Sequence, residues 1–205
     1  MLSHHHLFIP GAEPGHTPLL LLHGSGGMER DLVPLAAELS PKSAVVALRG
    51  AVPWESGFAF FRRFEDRSID EYDLRDRAGV LADDIAQIGA GYGFARPPIA
   101  LGFSNGAIMT AALVMLYRGL LSGAVLFRPL SPLAADSVSR VPRTPVLMID
   151  GSDDERRSPG DGARLAQRLA GIGADVSHHV LPTGHSLIAD DLRLAREWLA
   201  QLPVN

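Results

Sequence analysis

Residues 101–107 read LGFSNGA, and they set a serine, Ser104, between two glycines. The stretch closes the apolar run PIALGF (Pro98–Phe103) and opens NGAIMTAALVMLYRG (Asn105–Gly119), which is apolar on most sides. A short, unbroken apolar run ending at glycine is a strand buried on both faces. A helix apolar nearly all round is a central, covered one. The junction is therefore strand, tight turn, helix, the repeating unit of a parallel sheet with helices packed on it.

Further strands and helices alternate on either side. The runs PLLLLHG (Pro18–Gly24), SAVVAL (Ser43–Leu48), GAVLF (Gly123–Phe127) and PVLMID (Pro145–Asp150) are short and apolar, and DVSHHVLP (Asp175–Pro182) alternates. Between them, Glu29–Leu39, Asp73–Tyr92, Gly160–Gly173 and Ile188–Leu202 carry apolar residues at helical spacing. Asp190 and Asp191 suit a helix start. The expected architecture is α/β, a three-layer α/β/α sandwich with a mostly parallel sheet. Residues 1–205 are read as one domain without a separate cap, which predicts a shallow, open pocket. The least regular stretch is Arg49–Tyr72, and a long loop in a compact domain is usually functional.

Composition narrows the function. Apolar residues make up 46 % and charged residues 20 %, as in a globular protein. A net charge of −4 argues against a nucleic-acid partner. There is no cysteine, so thiolate metal sites, disulfides and a cysteine nucleophile are excluded. No apolar stretch reaches the ~20 residues that span a bilayer, and no signal peptide is visible. A cytoplasmic protein is expected, monomeric or homodimeric. The histidines of SHHHLF (Ser3–Phe8) are read as surface residues, and the Asp83-Asp84 pair as a solvated helix face.

The five residues Gly102-Phe103-Ser104-Asn105-Gly106 fit the pattern G-x-S-x-G. In that pattern a serine is raised on a sharp turn at the carboxyl end of a strand. Side chains beside the serine would clash, hence glycine two places before and after. A bare helix-capping serine is the alternative, contributing about 1 kcal/mol and no chemistry. A reactive hydroxyl needs a base and donors for an oxyanion. The amide of Asn105 is one candidate donor. The amide of Ser25, in LLLLHGSGG (Leu19–Gly27), is the other, and His23 beside it is read as a brace for that loop. The base is expected after the last strand, where His185 lies in LPTGHSL, while His178 and His179 fall inside the strand pattern. The acid is expected after PVLMID, where Asp153, Asp154 and Glu155 are adjacent and Asp150 ends the strand; spacing does not choose among them.

HGSGG, GFSNG, DGSDD and TGHSL, in that order, resemble the α/β-hydrolase superfamily. Within it, the chain is similar to the phospholipase/carboxylesterase family that includes acyl-protein thioesterases. A bacterial carboxylesterase branch linked to hydroquinone stress resembles it further, in RGAVPWESGFAFFRRFEDRSIDEYDL (Arg49–Leu74) and GHSLIADDLRLAREWL (Gly184–Leu199). The resemblance implies Ser104, Asp154 and His185 as a catalytic triad, with oxyanion amides from Ser25 and Asn105. It maps the Gly-x-x-Asp pattern from Gly151 onto Asp154; the family often follows with proline, where this chain has Glu155. The activity implied is a serine carboxylesterase for small, short-chain esters, with no cofactor and no metal. Hydrolysis of a lactone or ring-cleavage product, or of a lysophospholipid or thioester, would use the same machinery. A non-catalytic sensor would be expected to have lost a triad member. Trp54, Phe60, Phe61, Arg62 and Arg63 are the candidate substrate pocket, aromatic walls with a fixed cation.

Overall fold

The computed structural model describes residues 2–13, 15–133 and 143–202. Its main sheet has seven strands, in the spatial order β1 (His6–Ile9), β3 (Val45–Leu48), β2 (Leu19–Leu22), β6 (Ile99–Phe103), β7 (Gly123–Phe127), β8 (Pro145–Gly151) and β9 (Asp175–Leu181). Every pairing is parallel except that of β1 with β3. This is the mostly parallel, helix-covered sheet expected from the alternation of runs.

The near-continuous apolar strands follow from having two covered faces. Leu20, Leu22, Val46, Leu48, Ala100, Leu126 and Met148 point into one core with α2 (Glu71–Gly91), α3 (Asn105–Leu116) and α4 (Asp161–Gly171). Their neighbours Leu19, Leu21, Val45, Ala47, Leu101, Val125, Phe127 and Ile149 point into the other, against α1 (Val33–Leu39) and α5 (Ala189–Gln201). Period-two alternation thus feeds both cores from each strand. Helix α3 is buried along nearly all of its length, as its all-round apolar sequence requires.

The strand order places the site. From β2 the chain crosses to β3 on one side, then returns past β2 to β6 and continues to β7 and β8. The direction reverses between β2 and β6, and such a switch point opens a crevice at the carboxyl ends of the two strands. Leu22 pairs with Gly102 there, so the loop after β2 and the turn after β6 face each other.

Three local expectations change. Arg49–Tyr72 contains a β-hairpin, β4 (Val52–Trp54) with β5 (Gly57–Ala59), and α2 starts at Glu71, where Asp70 accepts a hydrogen bond from the Asp73 amide at 3.0 Å. The histidine cluster divides, because His4 is buried and His6 opens edge strand β1, while His5 is exposed as expected. Asp84 is not a solvated residue of the helix. It is 2 % exposed and accepts from the amides of Ser3 and His4 and from the His4 ring at 2.7 Å. A buried carboxylate needs such partners, and it ties the amino-terminal segment to α2.

Candidate active site

Ser104 sits between β6 and α3 at φ 52° and ψ −108°, a backbone conformation that side chains other than glycine rarely adopt. The turn is held by the Ser104 amide, which donates to Phe127 O on β7 at 2.9 Å. Both flanking glycines are required by contact. A Cβ on Gly102 would stand 2.6 Å from Gly106 O and from Thr110 Oγ1, and one on Gly106 would stand 2.0 Å from Leu22 O. The second contact lets the start of α3 press against the end of β2.

The loops after β8 and β9 deliver two more side chains. His185 Nε2 lies 2.8 Å from Ser104 Oγ, and His185 Nδ1 lies 2.7 Å from Asp154 Oδ2. An ionised carboxylate can only accept, so Nδ1 carries the proton and Nε2 is left to accept from the serine. Burial lowers the His185 pKa, and the Asp154 bond opposes this while Arg157 and Arg156 add to it. Burial would raise the Asp154 carboxyl. The hydrogen bonds from His185 and the Arg156 amide, with the charges of His185 and Arg157, outweigh it and hold the pKa below its usual value.

The other candidates lie elsewhere. Asp153 is exposed and accepts from Ser152 Oγ, and Glu155 is exposed. Asp150 Oδ2 meets His178 Nε2 at 2.6 Å, across the β8–β9 edge, and His179 is exposed. His23 does brace its loop. Its Nδ1 donates to Gly24 O at 2.7 Å and its Nε2 accepts from the Gly50 amide at 3.0 Å, while burial lowers its pKa and keeps the ring neutral.

The β4–β5 hairpin fastens the same loop. Gly26 N donates to Phe58 O at 2.9 Å, Phe58 N to Gly27 O at 3.0 Å, and Gly27 N to Gly24 O at 3.1 Å. The approach is close enough that a Cβ on Gly57 would lie 2.2 Å from Gly26 O. The amides on either side of this bend are thereby committed. Ser25 follows β2, and Asn105 is the first residue of α3, where helix amides have no intrahelical acceptor. The Asn105 side chain instead accepts from the Phe60 amide at 2.7 Å, pinning the hairpin's exit to α3.

The expected substrate pocket divides. Phe60 and Phe61 are 1 % and 0 % exposed and belong to the core, so they cannot be pocket walls. Full burial of a phenylalanine stabilises by about 1.5–3 kcal/mol, and Phe60 also packs on the His23 ring at 4.8 Å. Arg62 is engaged by Asp73 at 3.1 Å and Asp70 at 3.6 Å. Arg63 reaches Arg67 O at 2.9 Å and lies over Phe61 at 5.9 Å, with no carboxylate within 4.0 Å among the described residues. Trp54 is half-buried beside Gly26.

Two arginines escape a reading of the sequence by motif. Arg128, directly after β7, is completely buried and paired with the equally buried Asp191 of α5. Arg157 donates to the carbonyls of Arg128 and Pro129, and burial pulls its pKa down to about 10. The one signal was the position of Arg128 at the carboxyl end of a fully apolar strand.

The parallel sheet, the serine on its strained turn and the strand order define an α/β-hydrolase, a serine hydrolase. The sequence pattern described as Phospholipase/Carboxylesterase matches residues 86–202. MhqD of Bacillus subtilis (strain 168), which carries a hydrolase name, is 34 % identical over 181 residues, 88 % of this chain and 90 % of that protein. The Bacillus cereus carboxylesterase structure superposes with a TM-score of 0.93 at 32 % identity, over 97 % of this chain and 94 % of the other. A Mesorhizobium loti carboxylesterase gives 0.91 at 30 % identity, over 98 % and 96 %. The chain belongs to the phospholipase/carboxylesterase family. Among the described residues no helix is long and apolar enough to cross a membrane.

Proposed function

We propose that the protein hydrolyses small, short-chain carboxylic esters through an acyl-enzyme, with Ser104, His185 and Asp154 as catalytic triad. The observation that carries this is the unbroken hydrogen-bonded row from Ser104 Oγ through His185 to Asp154. Ser104 Oγ attacks the ester carbonyl as Nε2 takes its proton. The oxyanion is held by the Ser25 and Asn105 amides. The imidazolium, stabilised by Asp154, then protonates the leaving alcohol. Water, deprotonated by the same nitrogen, attacks the acyl-serine and releases the acid, and the proton returns to Ser104.

Arg63 is the candidate for reading an anionic group on the substrate. Its guanidinium is half-buried with only a main-chain carbonyl as hydrogen-bond partner among the described residues, whereas Arg62 already has two carboxylates.

Labelling with a fluorophosphonate, read by intact-protein mass and peptide mapping, tests the assignment. One adduct on Ser104, absent when the protein is denatured before labelling, is the expected result. No adduct on the native protein, or an adduct elsewhere, overturns it. A panel of esters varied in acyl length and charge then defines the substrate.

A further inference from the structure

Arg128 is an unusual residue for a core. It follows a strand whose five residues are all buried, and it is itself 0 % exposed. Its backbone is held at φ 53°, which few residues other than glycine adopt. A guanidinium has five N–H donors in a fixed fork, and burial leaves none of them for water. Here all five are used. Nη1 and Nη2 grip the Asp191 carboxylate at 2.7 and 2.8 Å, and Nη1 also reaches Ile149 O at 3.2 Å. Nε donates to Gly184 O at 3.0 Å, and Nη2 to Ser186 O at 2.9 Å.

Gly184 and Ser186 are the two neighbours of His185. The fork therefore holds the carbonyl on each side of the histidine, while its counter-charge comes from a helix that carries no part of the proposed triad. Asp191 is fixed in turn, since its Oδ2 accepts from the Ile188 amide at 2.8 Å at the start of α5. The main chain of Arg128 works in the other direction. Its amide donates to Ile149 O at 2.8 Å, next to the loop that carries Asp154, and its carbonyl accepts from Arg157 of that loop. Phe127, one residue earlier, takes the Ser104 amide. Residues 127 and 128 thus touch the three segments that bear Ser104, Asp154 and His185.

We propose that Arg128, charge-balanced by Asp191, is a positioning residue that sets the His185 loop so that Nε2 meets Ser104 while Nδ1 meets Asp154. The proposal rests on the triad reading above. A buried pair of this kind is not needed for stability as such, because apolar residues of similar volume often replace one at no cost or with a gain. Positioning and stability are therefore separable.

Arg128→Lys keeps the charge but offers three donors on a flexible stem, too few to span the five acceptors. Its kcat on a neutral short-chain ester should fall about 10²-fold, the scale of a misplacement near 1 Å, with KM nearly unchanged. The double variant Arg128→Met/Asp191→Leu should keep a cooperative thermal transition and lose at least as much kcat. In both, the downfield proton of the His185–Asp154 bond in NMR spectra should broaden or disappear, a signature that a purely structural pair would leave in place. A folded variant of either kind that keeps kcat within about threefold and retains that proton overturns the proposal. If the double variant does not fold, Arg128→Lys decides, with Asp191→Asn, expected to show the same fall in kcat at unchanged KM, as the second measurement. Ser104→Ala separates the two levels of inference. Activity surviving that substitution removes the triad reading. Activity lost there but kept in Arg128→Lys removes only the role of Arg128.

Discussion

Two histidine–aspartate pairs link β8 to β9, one within the strands and one between the loops that follow them. His185–Asp154 measures 2.7 Å and His178–Asp150 measures 2.6 Å. By bond length they are equivalent. What separates them is the other nitrogen of each ring. In His185 it meets a serine hydroxyl on a strained turn, and in His178 the ring stays within the strand edge against α4, where a Cβ on Gly162 would run into Asp150. The lesson is that an imidazole held by a carboxylate is common structural cement. The candidate base is the one beside which the fold also places a serine hydroxyl.

The largest break in this comparison is expected at the serine. Ser104→Ala should fold as the parent does and lose on the order of 10⁴–10⁶ in kcat, measured on a chromogenic ester. A loss of tenfold or less would leave the His185 pair as structural as its neighbour.

Exchanging one oxygen acid for its amide should then set the two pairs apart. Asp154→Asn should lose about 10⁴ in kcat, because the histidine would take the wrong tautomer. Asp150→Asn and Asp153→Asn should stay within about threefold of the parent. Equal losses for Asp154 and Asp150 would show that the bond, and not the serine, marks the functional pair.

The arginines after the hairpin give a smaller, selective effect. Arg63→Ala should weaken kcat/KM for a carboxylate-bearing ester relative to its neutral analogue by about 1.5–3 kcal/mol, roughly 10- to 150-fold. Arg62→Ala should show no such selectivity, since its carboxylates hold it to the start of α2. Equal losses on both esters would assign Arg63 to the loop alone.

The pH dependence sharpens the contrast at still smaller amplitude. Burial lowers His185, so its free base persists to lower pH than an ordinary histidine. The rising limb of kcat/KM should therefore have its midpoint below the ordinary value of about 6.5. His178→Ala should leave that limb in place and cost about 1 kcal/mol or less of stability, as a partly exposed pair does. A limb that moves with His178 and not with His185 reverses the assignment.

Much of this was legible from local pattern. The unbroken apolar runs fit strands with two covered faces, and the two glycines around Ser104 fit a close approach of main chain. His185 and the group of carboxylates near Asp154 follow from their place after strands. Errors arose where burial overruled residue type. His4 and Asp84 are polar residues, and sequence alone assigns such residues to the surface. Phe60 and Phe61 stand near charges in an irregular stretch, a pattern that predicts pocket walls, although they are core.

The sequence by itself determined the layers, the strand-turn-helix unit and the kind of chemistry, because hydrophobic period and glycine placement are local quantities that short segments enforce. Only the tertiary structure decided which carboxylate faces His185, which arginine lacks a carboxylate, and why a charged fork lies in the core. Those facts depend on contacts such as Arg128 to Gly184 and Asp191, between residues 56 and 63 positions apart. No local spacing encodes a hydrogen bond whose partners are brought together by the crossing of three strands.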